Sequence, residues 1–497
     1  MENAQTQHIK DHTPPQNIQL RHYLVGGELV PWEGGSSRIT SPVFQGGKRT
    51  DLGQVPELGP QEALNALETA TAYFNDSLSQ PLTTRQTAMK AAVQEFNKEL
   101  QKLREPIAQT LSWELGKTIE HAYYEFDRTV DYIANTLQEF DQTVGQTTTE
   151  SHGINVSRQH HPDGVVLCYG PYNFPLNEAV CMIIPALLTG NAVIYKPAYQ
   201  GILFWHYLLP VLRDCFPAGS IAVLFGGGSE LGVPLMRTGQ VQTLAYIGNS
   251  KGAQSLASEH PNPIVLKRVF GLEAKNPVVV MPGADVDKAV DECVKGALIF
   301  NGQRCTAFKM VFVHESLGPQ FRNKLADEVD ALSVGHPQEN PTITPLPSPG
   351  KVEYLDNLVQ NAVENGAAVL NKNAGPMDST TFFPAVLYPV NPAMTVYHEE
   401  QFGPLVPVVS FEELAEVAVY LKESAYGQQA SVYSTNKSEL EEATNTLLPY
   451  VSRLNLNRVS QRGPDVLPFT GKKNSAVGTL GVIDALVAFT SESLIVE

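Results

Sequence analysis

Gly164-Val165-Val166-Leu167-Cys168-Tyr169-Gly170 decides the fold of this 497-residue chain. It is a short apolar run between glycines, followed by a helical pattern over residues 178–188. Ala192-Val193-Ile194-Tyr195-Lys196-Pro197 repeats the run. A second helix is expected over 204–216, and Ile221-Ala222-Val223-Leu224-Phe225-Gly226 repeats it again. Leu244-Ala245-Tyr246-Ile247-Gly248 is a fourth run, and the surroundings of Val265-Leu266 a fifth. A strand apolar along its whole length is buried on both faces, and alternation with helices means βα units around a parallel sheet. Ligands of such sheets lie at the carboxyl ends of the strands. A second series starts with Pro277-Val278-Val279-Val280-Met281, continues as a helix over 286–300, and returns as strands at 311–313, 406–409 and 430–433. The fold class is α/β, in two related layers.

Upstream, Ala63, Leu64, Ala66, Leu67, Ala70 and Phe74 recur at helical spacing, and helices are expected from 61 to about 143. Tyr23 to Val30 reads as a hairpin turning at Gly26-Gly27. Residues 1–20 are rich in Gln, Asn and Pro and read as a disordered leader. Residues 145–161 begin polar and Thr-rich, then alternate at Ile154-Asn155-Val156-Ser157, which suggests a projecting hairpin. Leu494-Ile495-Val496 is its expected strand partner.

The totals exclude several classes. With 52 acidic and 35 basic residues the net charge is −17, which argues against sequence-independent nucleic-acid binding. Five cysteines, an odd number without a C-x-x-C pair, give neither a disulfide framework nor a zinc site, so no metal is expected. The first twenty residues lack a signal-peptide core, and no apolar stretch is long enough to span a bilayer. The expected setting is the cytoplasm, without a membrane partner.

The chemistry centres on Asn301-Gly302-Gln303-Arg304-Cys305-Thr306-Ala307. A thiolate is the nucleophilic form of cysteine. A helix N-terminus and the neighbouring Arg304 are expected to favour it, making Cys305 a covalent catalyst rather than an inert buried thiol. In Pro171-Tyr172-Asn173-Phe174-Pro175, two prolines fix Asn173 at a strand's end. Its amide is either an oxyanion donor or an ordinary turn residue. Gly248-Asn249-Ser250-Lys251-Gly252 opens a helix whose N–H groups are placed for a phosphate, or is a plain strand-to-helix turn. Lys196 ends a buried strand and points into the cleft. Glu400 stands in a loop where a carboxylate can take ribose hydroxyls. Arg128 in a helix and Arg462 in the turn Gln461-Arg462-Gly463-Pro464-Asp465 each read as solvated charges or cleft residues.

Taken in order, Pro171–Pro175, Lys196-Pro197-Ala198, Gly271–Pro277, Gly302–Cys305, Glu400-Gln401-Phe402-Gly403-Pro404 and Leu467-Pro468-Phe469-Thr470-Gly471 resemble the aldehyde dehydrogenase superfamily, from about residue 22 to 497. The resemblance implies a Rossmann-type cofactor domain (21–143 and 162–273), an α/β catalytic domain (274–470), and a small bridging β-sheet (144–161 and 471–497) used in a homodimer or homotetramer. It implies Cys305 as nucleophile and Asn173 as oxyanion donor. It also implies cofactor contacts from Lys196, Ala198, Tyr199, Gly248, Asn249, Gly252, Leu272, Glu400 and Phe402. Within the superfamily, Arg128, the Gly302–Ala307 stretch and Gln461–Asp465 are most similar to the non-phosphorylating, NADP-dependent glyceraldehyde-3-phosphate dehydrogenases. There Arg128, Arg304 and Arg462 would surround the substrate phosphate, as guanidinium forks suit phosphate oxygens. Phe174 departs from that pattern by lacking a Tyr hydroxyl. Tyr199 replaces a Glu that would repel a 2′-phosphate, which permits NADP and leaves NAD possible.

The larger departure is Phe270-Gly271-Leu272-Glu273-Ala274-Lys275. Family members carry at the position of Gly271 the Glu that activates the water hydrolysing the thioester. Glu273, displaced by roughly 6–7 Å in extended backbone, or a group the sequence does not identify, is the expected base. Two other readings stay open: an acylating dehydrogenase that passes the acyl group to CoA or phosphate, and a cofactor-binding protein without turnover, in a structural or regulatory role.

Overall fold

The computed structural model describes residues 12–497. Its larger sheet has eight strands, in spatial order Ala476–Val477, Lys267–Gly271, Thr243–Ile247, Val165–Tyr169, Ala192–Lys196, Ile221–Val223, His22–Val25 and Glu28–Pro31. The five apolar strands from Lys267–Gly271 to Ile221–Val223 are parallel, and the flanking ones antiparallel. Chain order reverses between Val165–Tyr169 and Thr243–Ile247, which opens a crevice at their carboxyl ends. The strand expected around Val265 runs Lys267–Gly271 instead. Pro261 and Pro263 turn the chain there, leaving Ile264 93% and Val265 63% exposed.

The second sheet orders Ala368–Val369, Ala385–Tyr388, Leu405–Phe411, Met310–His314, Pro277–Val280, Gln429–Tyr433 and Arg453–Leu456, parallel except at its first strand. Val278 and Val280 enter one apolar cluster and Val279 and Met281 another, so both faces are covered. In a third sheet Thr490–Val496 pairs antiparallel with Ile154–Pro162, which pairs with Thr147–Ser151. Leu494, Ile495 and Val496 oppose Arg158, Ser157 and Val156, the pairing expected from sequence.

Two boundaries change. Of the expected leader, residues 1–11 lie outside the described residues, whereas 12–20 are packed. Ile18–Gln19 pairs with the strand Lys48–Pro56, Ile18 and Leu20 are buried, and His12 stacks on His336 at 4.5 Å. Polar composition hid two apolar side chains at the spacing of a half-buried strand. Of residues 471–497, expected to belong to a bridging sheet, only the last strand joins this three-stranded sheet. Lys472–Lys473 pairs with Tyr426–Gly427, Ala476–Val477 completes the eight-stranded sheet, and the helix Val482–Ala488 packs on the helices Ile119–Val144 and Pro175–Leu188. No helix of the described residues is long and apolar enough to cross a membrane.

Candidate active site

A cleft of about 1100 Å³ runs from the carboxyl ends of the first sheet to loops of the second, and Cys305 lines it. The helix Val286–Leu298 ends in three consecutive left-handed residues: Phe300 (φ 54°), Asn301 (φ 52°) and Gly302 (φ 71°). Two of these carry a Cβ, so the turn stores strain that its surroundings must hold. The Asn301 amide donates to Thr344 O and Oγ1 (3.0 and 3.1 Å) and its carbonyl accepts from Thr344 N (3.1 Å). A Cβ on Gly302 would come within 2.6 Å of Gly403 O, so only glycine fits. Lys309 Nζ donates to Gly302 O (2.8 Å), and Asn276 Nδ2 to Cys305 O (2.7 Å).

The expected activation of the thiol is not found. No helix starts at Cys305; irregular backbone leads into the strand Met310–His314. Arg304 Nη2 donates to Gly296 O (2.9 Å), its Nε has no hydrogen-bonding partner among the described residues, and burial pulls the guanidinium down to about 10. Burial, followed by the charges of Glu178 and Glu400, pushes the Cys305 thiol up to about 11, against the opposing pull of Arg462 and a Gln428 hydrogen bond. Without ligands the thiol is protonated at neutral pH.

Asn173 lies between the strand Val165–Tyr169 and the helix Pro175–Leu188. Its Nδ2 donates to Gln303 O (2.9 Å), two residues from Cys305, which leaves one amide proton for another acceptor. A buried pair fixes this corner. Lys117 Nζ donates to Glu125 and to Asn173 O (2.7 Å), while Glu125 Oε1 accepts from Leu176 N (2.9 Å) and Asn177 N (3.2 Å) at the helix start. The ammonium also lies 4.1 Å from the Phe174 ring centroid and 4.7 Å from that of Phe300. Phe174 thus walls the cleft with a ring that covers a cation. Lys117 and Glu125 did not stand out in the sequence, where Gly116-Lys117-Thr118 falls within the helical pattern expected from 61 to about 143.

At the crevice, Tyr169 and Tyr246 are register partners with stacked rings 5.6 Å apart. Lys196 lines the cleft beside them, 5.9 Å from the Tyr169 ring centroid, with no hydrogen-bonding partner among the described residues, and burial pulls its ammonium down to about 8. Ala198, Gly248, Asn249, Gly252, Leu272, Glu400 and Phe402 share the lining. Glu400 Oε1 is buried without a hydrogen-bonding partner among the described residues, Lys309 is 3.9 Å from that oxygen, and burial pushes the carboxyl up to about 7. The Lys196 ammonium beside the strand-order switch point and the Glu400 carboxylate across the same cleft fit a dinucleotide with ribose hydroxyls and phosphates. Three expectations change here. Tyr199 does not line the cleft; it is 57% exposed, with its hydroxyl 3.5 Å from Arg38 O. Of the N–H groups at the Ser250–Ser258 helix, Gly252 N donates to its cap Asn249 (2.7 Å) and Ser250 N to Glu273 (2.9 Å to each oxygen), so neither is free for a phosphate. Glu273, the expected base, is thereby held on the helix start, with Ser250 Oγ at 3.2 Å as well.

At the other end of the cleft, Arg128, Arg304 and Arg462 share the lining with His121 and Glu178. Neither Arg128 nor Arg462 is a solvated charge. Arg128 forms a two-pronged pair with Asp465 (2.6 and 2.9 Å), and Arg462 donates to Glu178 with Asp465 at 3.6 Å. Arg304 is the one of the three without an acidic partner among the described residues. His121 Nδ1 is likewise without a hydrogen-bonding partner among the described residues, and burial pulls the ring down to about 4. His121 and Glu178 gave no sequence signal, because each lies alone on an otherwise ordinary helix.

Comparison with known proteins agrees with this geometry. Residues 32–495 match the model of the aldehyde dehydrogenase family. An Arabidopsis thaliana protein named NADP-dependent glyceraldehyde-3-phosphate dehydrogenase is 29% identical, covering 95% of this chain and 94% of its own. The crystal structure of the enzyme so named from Bacillus halodurans, complexed with NADP, superposes with a TM-score of 0.88 at 30% identity, over 96% of this chain and 99% of that one. A glyceraldehyde-3-phosphate dehydrogenase from Methanocaldococcus jannaschii, also complexed with NADP, gives 0.83 at 25%, over 89% and 96%. The cysteine cleft between two α/β layers and the family match over nearly the whole chain lead to one conclusion: this protein belongs to the aldehyde dehydrogenase family.

Proposed function

We propose that the protein oxidises a small phosphorylated aldehyde, such as glyceraldehyde 3-phosphate, to the acid through a thioester on Cys305, with NADP as oxidant. One observation carries this reading: Cys305, Asn173 and three arginines line one cleft that also holds Lys196 and Glu400. Bound NADP supplies the hydride acceptor; relatives named NADP-dependent support it over NAD. Lys196 and Glu400 would hold its ribose units, and Phe402 would border the nicotinamide. Cys305 attacks the aldehyde carbon, its proton passing to solvent. The free Asn173 amide proton and the Cys305 N–H steady the oxyanion. Arg304, with Arg128 and Arg462 behind their acidic partners, takes the phosphate. The proposal includes a cytoplasmic setting and a homo-oligomer joined through the exposed three-stranded sheet.

A second reading is an acylating dehydrogenase. Gly271 at the usual base position and the engagement of Glu273 by Ser250 favour it. Incubation with glyceraldehyde 3-phosphate and NADP, with and without CoA or phosphate, separates the two. The proposal expects 3-phosphoglycerate at an unchanged rate. A product requiring CoA or phosphate refutes it, and no NADPH at all removes both.

A further inference from the structure

Hydrolysis of a cysteine thioester needs a base within hydrogen-bonding reach of the attacking water. Three carboxylates line the cleft: Glu178, Glu273 and Glu400. Both oxygens of Glu273 accept from Ser250 N on the cofactor side. Glu400 lies beside Lys309, among the groups placed for the cofactor. Glu178 differs from both. It occupies the first turn of the helix Pro175–Leu188, five residues after Asn173, whose amide reaches the backbone two residues before Cys305. The corner that sets the oxyanion donor therefore also sets Glu178. One of its oxygens accepts from Arg462 Nη1, and the other has no hydrogen-bonding partner among the described residues. Of the acidic groups around the thiol, its charge acts most strongly on Cys305.

We propose that Glu178 is the general base of deacylation, working from the substrate side of the thioester in place of the carboxylate missing at Gly271. This rests on the oxidation reading above. A water between the free Glu178 oxygen and the acyl carbon gives its proton to the carboxylate as its oxygen bonds to that carbon. The C–S bond breaks, sulfur leaves as thiolate, the acid departs, and Glu178 returns its proton to solvent. Arg462 holds the carboxylate in this orientation.

The test is stopped-flow and steady-state kinetics of Glu178→Gln with glyceraldehyde 3-phosphate and NADP. The expected result is an NADPH burst of about one per subunit, then turnover slowed about 100-fold or more, the usual contribution of a general base. Intact-protein mass spectrometry should show the trapped acyl group. Hydroxylamine, which needs no base to cleave a thioester, should restore turnover; damage to packing would not be repaired this way. Glu178→Asp, which keeps the charge on a shorter stem, should fall between. Glu178→Gln turning over like the parent overturns the proposal, as does a variant with no burst, or with slow turnover that hydroxylamine does not restore. A parent enzyme without NADPH formation sinks the oxidation reading as well, and is told apart by that.

Discussion

Replacing Glu125 by Gln should unsettle the catalytic corner from a distance, because Glu125 and Lys117 are both fully buried. The glutamine oxygen can still accept from Leu176 N and Asn177 N, but its NH2 group would then face the Lys117 ammonium. An ammonium left in a dry interior without its counter-charge costs about 3–5 kcal/mol. Lys117→Met/Glu125→Gln removes both charges and forfeits chiefly the hydrogen bond to Asn173 O, about 1 kcal/mol. The double variant should therefore be more stable than Glu125→Gln alone. Urea unfolding followed by fluorescence measures this, since Trp113 and Trp205 are buried and Trp113 belongs to the helix just before Lys117. The sign of a pH effect follows too. Burial holds the Lys117 pKa below its ordinary value and Glu125 counteracts this. Without Glu125 the folded pKa drops further below the unfolded one. The unfolded chain then binds more protons, and stability rises with pH up to the unfolded value. Glu125→Gln should recover stability toward pH 10 more steeply than the parent. A loss under about 1 kcal/mol, or a double variant that loses the sum of the singles, would refute the idea that this pair acts as a unit.

Three further outcomes are expected. Alkylation of Cys305 by iodoacetamide without cofactor should be about 100-fold slower at pH 7 than for a thiol of pKa 9, and should rise tenfold per pH unit toward about 11; an inflection below pH 8 would contradict the burial described. NADPH binding, read by its fluorescence, should weaken as pH rises through about 8 and Lys196 loses its charge, and Lys196→Met should bind weakly without that pH dependence. Arg304→Met should lower kcat/KM for the phosphorylated aldehyde by about 10- to 100-fold, the worth of a charged hydrogen bond, with far less effect on unphosphorylated glyceraldehyde; equal losses for both would remove the phosphate role.

The sequence disclosed what depends on local pattern. Val165 to Tyr169 is apolar throughout because it is covered on both faces, and Leu494–Val496 found its partner because a three-residue β-rich run ends the chain near a hairpin in need of one. It failed where function depends on distant residues. Nothing next to Cys305 announces that Phe300 and Asn301 are held left-handed by Thr344. Nor does anything next to Glu273 announce that Ser250 takes its oxygens. Residues 12–20 were misjudged because composition outweighed the buried Ile18 and Leu20. Lys117 gave no signal because burial of a charge depends on a counter-ion that the local sequence does not identify.

The edge strand Ala476–Val477 and the ribbon strand Thr490–Val496 complete layers begun far upstream, beside Phe270 and Arg158. During synthesis the larger sheet stays open along its Lys267–Gly271 border until residue 477 has emerged. Over those roughly 200 residues a nascent chain of this protein must keep that border from pairing with its neighbours on the same message.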